Sequence, residues 1–184
     1  MVEYFGSHKA MIGMALGAAL ATFTVAPLLA AGGGGTGPIL DCPKDQIRDA
    51  DGKCKPATNN AIDHEARVAY ALALAKAERY EEALVALNHA SDQNDPRVLN
   101  YMGYSLRKSG RLDEGIGYYK RALATDPDYV LAREYLGEAY LTMGRLDLAE
   151  AELKEIETRC GTTCEAYLDL AEDIKDYRAR NGQG

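Results

Sequence analysis

The chain has 184 residues, 21 Lys+Arg against 28 Asp+Glu, a formal net charge of −7, 12 Tyr and no Trp. That length suits one ordinary domain. The acidic balance excludes a broad phosphate-binding surface, which needs clustered Lys and Arg to release counterions, and it suits a soluble surface and a basic partner.

Residues 1–31 read as an export signal. A short start holds His8 and Lys9, an apolar run from Ala10 to Val25 is broken by Pro27, and the small residues Ala30 and Ala31 follow. A positive start, an apolar centre and a small-residue end are the marks of a secretory signal. Cleavage is expected near Ala31, leaving an exported protein, periplasmic or secreted. The alternative is a retained anchor, because residues 10–31 are long enough to span a bilayer. No cysteine directly follows the apolar run, so a lipid-modified start is not expected. Residues 32–38 contain five glycines and read as a flexible linker.

The four cysteines lie in two local pairs, Cys42 with Cys54 and Cys160 with Cys164. Four cysteines allow three pairings. The local pairing is the simplest, and an oxidising compartment favours disulfides. Between Cys42 and Cys54 a turn is expected at Asp51-Gly52. Closing that loop stabilises by about 3 kcal/mol on the chain-entropy view. Cys160 and Cys164 flank Gly161 at an expected helix junction, where glycine ends a helix readily.

From residue 62 onward apolar residues recur at helical spacing, and the sequence repeats itself. Tyr101-Met102-Gly103-Tyr104-Ser105-Leu106 matches Tyr135-Leu136-Gly137-Glu138-Ala139-Tyr140, and Gly110-Arg111-Leu112-Asp113 matches Gly144-Arg145-Leu146-Asp147. Both matches lie 34 residues apart. An earlier copy, Ala71 with Tyr80-Glu81-Glu82-Ala83, stands 32 residues before the second. Each unit predicts a first helix with a small residue between large ones (Met102, Gly103, Leu106) and a turn at Gly110 or Gly144. The second helix has a small crossing residue (Ala83, Gly115, Ala149), a large one a turn later (Leu87, Tyr119, Leu153) and Ala90, Ala122 or Ile156 beyond. Asp126-Pro127 ends the second unit, and Asp95-Pro96 reads as a cap and first helical residue.

These residues resemble the tetratricopeptide repeat family, whose units are helix–turn–helix hairpins of about 34 residues. The resemblance implies an all-α, right-handed solenoid of three repeats, about 62–95, 96–129 and 130–160, plus a capping helix over 162–180. The first copy departs from the pattern: Glu78 stands at the turn glycine and Arg67 at an early bulky apolar position. The third lacks the closing proline. For the final helix, Thr162 with Glu165 fits a capping box, and Tyr167, Leu168, Leu170, Ala171, Ile174 and Tyr177 form its apolar stripe.

Catalytic patterns are absent from this reading, and no enzyme, cofactor or metal is expected. His64-Glu65 has Val68 where a zinc protease has its second His. The glycines at 32–37 lack the Gly-Lys-Ser/Thr ending of a phosphate loop. The cysteine spacings match neither redox nor haem motifs, although a thiol or metal role for Cys160 and Cys164 is the alternative to disulfides. The resemblance places a ligand groove on the first helices, at Leu72, Ala75 and Lys76, then Asn100, Tyr104, Arg107 and Lys108, then Glu134, Glu138 and Leu141. Asn100, Arg107 and Lys108 would hold a peptide backbone or carboxylate, and Glu134 and Glu138 a basic segment. The alternative is solvated helix faces with internal ion pairs. The cytosolic chaperone clamp of some family members is missing, since its positions hold Val68, Leu72, Tyr101, Leu131 and Tyr135. The expectation is an exported scaffold in the cell envelope that binds a protein or peptide and no nucleic acid. It touches a membrane only if its N-terminal segment is kept, in which case it is a tethered assembly subunit.

Overall fold

The computed structural model describes residues 42–43, 46–48, 51–56 and 62–182. The expected export signal or anchor and the glycine linker lie outside the described residues. No helix among the described residues is long and apolar enough to cross a membrane.

Seven helices follow in order: α1 His64–Lys76, α2 Tyr80–Asn88, α3 Pro96–Lys108, α4 Leu112–Thr125, α5 Val130–Thr142, α6 Leu146–Cys160 and α7 Glu165–Arg180. Each helix packs on the next, and α1 on α3, α3 on α5 and α5 on α7 as well. The first helices of the three hairpins and the final helix therefore stand side by side along one face.

Small residues let the helices of the stack approach closely. Ala71 and Ala83 are fully buried in the first hairpin. In the second, a methyl group on Gly103 would fall 2.6 Å from the Tyr119 ring, and one on Gly115 would fall 2.8 Å from the Gly103 carbonyl oxygen. In the third, a methyl group on Gly137 would strike Leu170 of α7 at 2.5 Å, and Ala149 is fully buried. Helix pairs this close leave room for large residues on either side, and Leu74, Leu87, Leu136 and Ile156 fill it.

Each first helix ends in the same way. The amide of Arg79, Arg111 and Arg145 donates to the carbonyl of Leu74, Leu106 and Tyr140 at 2.9, 2.8 and 2.8 Å. This is the six-to-one closure of a Schellman turn, which needs a left-handed residue just before the donor. Gly110 (φ 88°) and Gly144 (φ 74°) supply it, and Glu78 adopts it at φ 59°. The missing glycine of the first repeat thus costs backbone strain and leaves the turn itself unchanged. The arginine after each turn then pairs with an acid of the following helix: Arg79 with Glu82, Arg111 with Glu114, Arg145 with Asp147. Asp95 caps α3 by accepting from the Arg97 amide at 2.8 Å, with Pro96 at the first helical position.

Two expectations need correction. The helical domain also carries a small antiparallel hairpin, β1 Gln46–Arg48 and β2 Cys54–Pro56, turning through Asp51-Gly52. Cys42, ahead of β1, is bonded to Cys54 at the turn end of β2, with Cα atoms 5.6 Å apart. Strands of three residues are too short to show an alternating pattern, so the segment reads as a loop. Its Ile47 is fully buried in the core shared by α1, α2 and α3, so the hairpin covers the open end of the first repeat. Arg67, despite its charge, is also buried there. Lastly, Thr162 does not cap α7. The helix starts at Glu165 with Cys164 as its N-cap and no side-chain cap bond, because Gly161 (φ 79°) and the Cys160–Cys164 bond occupy the junction.

The Gly103–Gly115 crossing yields a paired prediction. Gly115→Ala pushes a methyl into backbone and is expected to destabilise by about 2–3 kcal/mol, the range of core overpacking. Gly117→Ala, two residues on in α4 with nothing within 4 Å, is expected to stabilise by about 0.5–1 kcal/mol through helix propensity. Urea unfolding followed by circular dichroism checks both signs.

Candidate binding groove

A pocket of about 410 Å³ opens on the side-by-side face. Leu72 and Lys76 come from α1, Tyr101 from α3, and Val130, Leu131, Glu134 and Tyr135 from α5. Cys164, Glu165, Ala166 and Asp169 close the α7 side. A smaller neighbour of about 200 Å³ is lined by Arg107, Glu138, Leu141 and residues of α7 that include Asp173 and Tyr177. Between them runs a set of rings: Tyr80 and Tyr104 with centroids 6.4 Å apart, Tyr104 and Tyr135 5.2 Å apart, and Tyr135 and Tyr119 6.2 Å apart. Lys108 Nζ lies 5.6 Å from the Tyr104 centroid.

Of the expected groove residues, the structure brings Leu72, Lys76 and Glu134 into one pocket, and Tyr104 and Lys108 beside it. It removes others. Asn100 is wholly buried next to Tyr129, and Ala75 is buried as well. On α3 the neighbouring residue, Tyr101, faces the pocket instead, so the expected assignment is one residue out. Arg107 and Glu138, expected to hold separate ligand charges, hold each other at 2.6 Å and are mostly buried. The Arg107 guanidinium also lies 5.7 Å from the Tyr104 centroid and 5.8 Å from that of Tyr135, and its Nε donates to the Tyr119 hydroxyl at 3.3 Å. Burial opposes the charge on Arg107, but Tyr119 and Glu138 outweigh it and raise the pKa. Leu72, Tyr101, Leu131 and Tyr135 all line the pocket. Of these, Leu72 is an expected groove residue, whereas sequence reasoning meets Tyr101, Leu131 and Tyr135 only as positions of a missing chaperone clamp. The signal was present there: four apolar or aromatic residues at family ligand positions make an apolar floor.

Glu134 differs from its neighbour one turn on. It is 6% exposed, and among the described residues it accepts no hydrogen bond and forms no ion pair. Burial, then the charges of Glu138, Asp169, Glu165 and Asp173, push its carboxyl up to about 8. Glu138 is raised by burial too, with Arg107 opposing the shift. The same α5 face therefore carries one carboxylate satisfied by a cation and one that keeps its proton near neutrality.

His64, Glu65 and Asp95 also come together, with candidate ligand atoms within 4.8 Å of one another. Their oxygens are already used. Arg97 bonds both oxygens of Glu65 at 2.7 Å and Asp95 at 2.6 Å, and His64 bonds Asp95 at 2.8 Å. Burial would raise the Asp95 carboxyl, but the hydrogen bonds from Arg97 and His64 hold it well below the usual carboxylate range. This cluster is a brace between α1 and the start of α3. The four cysteines form two bonds, the second between Cys160 and Cys164 with Cα atoms 6.0 Å apart, and none of them is a free thiol.

Two predictions follow from these charges. Arg107→Ala leaves the Glu138 carboxylate without its cation in a desolvated place, and a loss of about 3–5 kcal/mol is expected in chemical denaturation. Glu134 has a folded pKa above its ordinary value of 4.5. Its contribution to stability is therefore present below about pH 4.5 and is lost as the pH rises toward 8. Glu134→Gln cannot lose a proton, so the stability difference between variant and wild type should shift in favour of the variant from pH 5 to 8. Melting temperatures of both proteins across that range test it.

Comparison with known proteins agrees with this architecture. Residues 102–162 match the family model described as tetratricopeptide repeat. Among solved structures, a MamA mutant is similar at 24% identity and a TM-score of 0.54, covering 68% of this chain and 72% of that one. The type III secretion translocator chaperone SycD of Yersinia enterocolitica is similar at 18% identity and a TM-score of 0.56, covering 67% and 90%. A further structure of SycD, in complex with a peptide of the translocator YopD, is similar at 19% identity and 0.53, covering 63% and 89%. At these identities the likeness is one of fold. No curated protein matches the sequence. Repeat spacing, Schellman turns and the shared fold together show a solenoid of tetratricopeptide-type helical hairpins, with the family model itself matching residues 102–162.

Proposed function

We propose that this protein is a non-catalytic scaffold that holds a segment of a partner protein in the groove formed by α1, α3, α5 and α7. The observation that carries the reading is the 410 Å³ pocket, with Leu72, Leu131, Tyr101 and Tyr135 forming apolar walls around a few polar groups. Apolar walls with sparse polar groups are the usual make-up of a ligand site. Rigid aromatic rings supply contact area at low entropic cost. The SycD complex supports the reading by analogy, as a protein of the same fold with a bound peptide.

The compartment belongs to the same proposal. Two disulfides in a small domain fit an oxidising, exported setting, as does the signal-like character of residues 1–31. The cell envelope is the proposed site of action. Retention of residues 10–31 would add a tether.

Two charge insertions test the groove. Leu72→Asp places a carboxylate in the groove. Val85→Asp does the same on the opposite side of the first repeat, where Val85 is exposed and shares a shallow pocket with Leu84, Met102 and Tyr118. Partner proteins recovered with the wild-type chain from envelope fractions should fall about tenfold with Leu72→Asp, the effect of desolvating an unpaired charge in an interface. They should be unchanged with Val85→Asp. The reverse pattern moves the interaction to the α2–α4 side and overturns the proposal.

A further inference from the structure

The groove contains two carboxylates one helical turn apart, Glu134 and Glu138, and only one has a cation. The satisfied site shows what such a site needs in this protein. Around Glu138, the Arg107 guanidinium lies over the rings of Tyr104 and Tyr135 at 5.7 and 5.8 Å and meets the carboxylate at 2.6 Å. One turn toward the start of α3 and α5 the same groups recur. Tyr101 takes the place of Tyr104, Glu134 takes the place of Glu138, and Tyr135 serves both pockets. The cation does not recur. Arg107 follows Tyr104 by three residues, whereas Tyr104 itself stands three residues after Tyr101, so α3 cannot fill the second site.

Resting on the groove reading above, we infer that this pocket takes a lysine or arginine side chain of the bound segment, with Glu134 as its carboxylate partner and Tyr101 and Tyr135 as its walls. Three observations favour a cation. Glu134 is more than nine-tenths buried, faces the pocket and has no partner among the described residues. Glu165 and Asp169 of α7 line the same pocket and add two more acids against the single cation Lys76. Aromatic faces attract cations, and do so more strongly when water is excluded. The groups around Glu134 are Glu138 on its own helix, Glu165, Asp169 and Asp173 on α7, Lys76 on α1, and the phenols of Tyr101 and Tyr135. Lys76 is exposed at the rim and has no ion pair among the described residues. A side chain entering the pocket meets Lys76 as a like charge, so Lys76 sets a modest penalty on entry. The empty Glu134 carboxyl holds its proton near neutral pH. An incoming cation displaces that proton, and binding gains strength as the pH approaches 8.

The test uses the full chain with both disulfides intact and a library of nine-residue peptides, in which one position at a time is fixed as Lys, Arg, norleucine or citrulline. For at least one position the Lys and Arg pools should bind about tenfold more tightly than the norleucine and citrulline pools, as expected for a desolvated charge pair. Glu134→Gln should remove that preference while still binding the uncharged pools. Asp169→Asn, an exposed change, should weaken the basic pools about two- to threefold, as for a rim charge. Lys76→Ala should strengthen them. Affinity for the Lys pool should rise between pH 6 and 8 in the wild type, by at most about tenfold per unit for one proton, and stay flat in Glu134→Gln. Peptides that bind with no basic preference, and lose binding with Leu72→Asp, would sink this inference and leave the groove reading intact. Peptides that do not bind at all would sink both.

Discussion

The fold depends on how closely α3 and α4 approach. Gly103 and Gly115 let the two backbones come within contact of each other, with the Tyr119 ring packed over Gly103. Tyr119 is fully buried and holds Arg107 through its hydroxyl. Arg107 in turn reaches across to Glu138 on α5. A crossing made of two hydrogen atoms therefore fixes a tyrosine, the tyrosine helps fix an arginine, and the arginine ties the second repeat to the third. Alanine at either crossing position would open the hairpin by a few tenths of an ångström or more. In a stack where each unit contacts only its neighbours, that displacement passes to the next first helix, and those first helices are the walls of the groove.

The sequence made the helices legible because several levels agreed: small residues at the crossings, glycine after the first helices of the second and third repeats, and proline at Pro96 and Pro127. Glu78 could be placed at a turn although it is the wrong residue for one, since the flanking Leu74 and Arg79 keep the pattern of the other repeats. The groove was only partly legible. Asn100 and Tyr101 are adjacent on a helix, and a polar residue next to an aromatic one invites the guess that the polar one faces the ligand. Packing decides otherwise: Asn100 is needed in the interior beside Tyr129. Arg107 and Glu138 lie 31 residues apart, and nothing local marks them as partners. Only the side-by-side packing of α3 and α5 brings them together. The hairpin over residues 46–56 was missed because three-residue strands carry no periodicity, and its one core residue, Ile47, stands alone among polar neighbours.

The two glutamates of α5 show how environment separates identical groups. Both are desolvated, and both sit among acids. Glu138 remains useful as an anion because Arg107 is fixed beside it, and its contribution is structural. Glu134 has no such neighbour, and burial among acids keeps it protonated near neutral pH. A scaffold that spent every buried charge internally would have a stable groove with little preference. Here the structure satisfies one and leaves one open.

The two ends of the stack bear on its use. Ile47 and its disulfide-closed hairpin cover the first repeat, and α7 covers the last by packing on α5 and α6. Among the described residues, both end repeats are covered in this way. The groove is thus a ruler of fixed length: four parallel rods, three gaps of about 8–10 Å each, roughly 24–30 Å in all. An extended chain advances about 3.3 Å per residue, so the ruler measures about eight or nine residues. A segment held in the proposed groove is read in one window of that size.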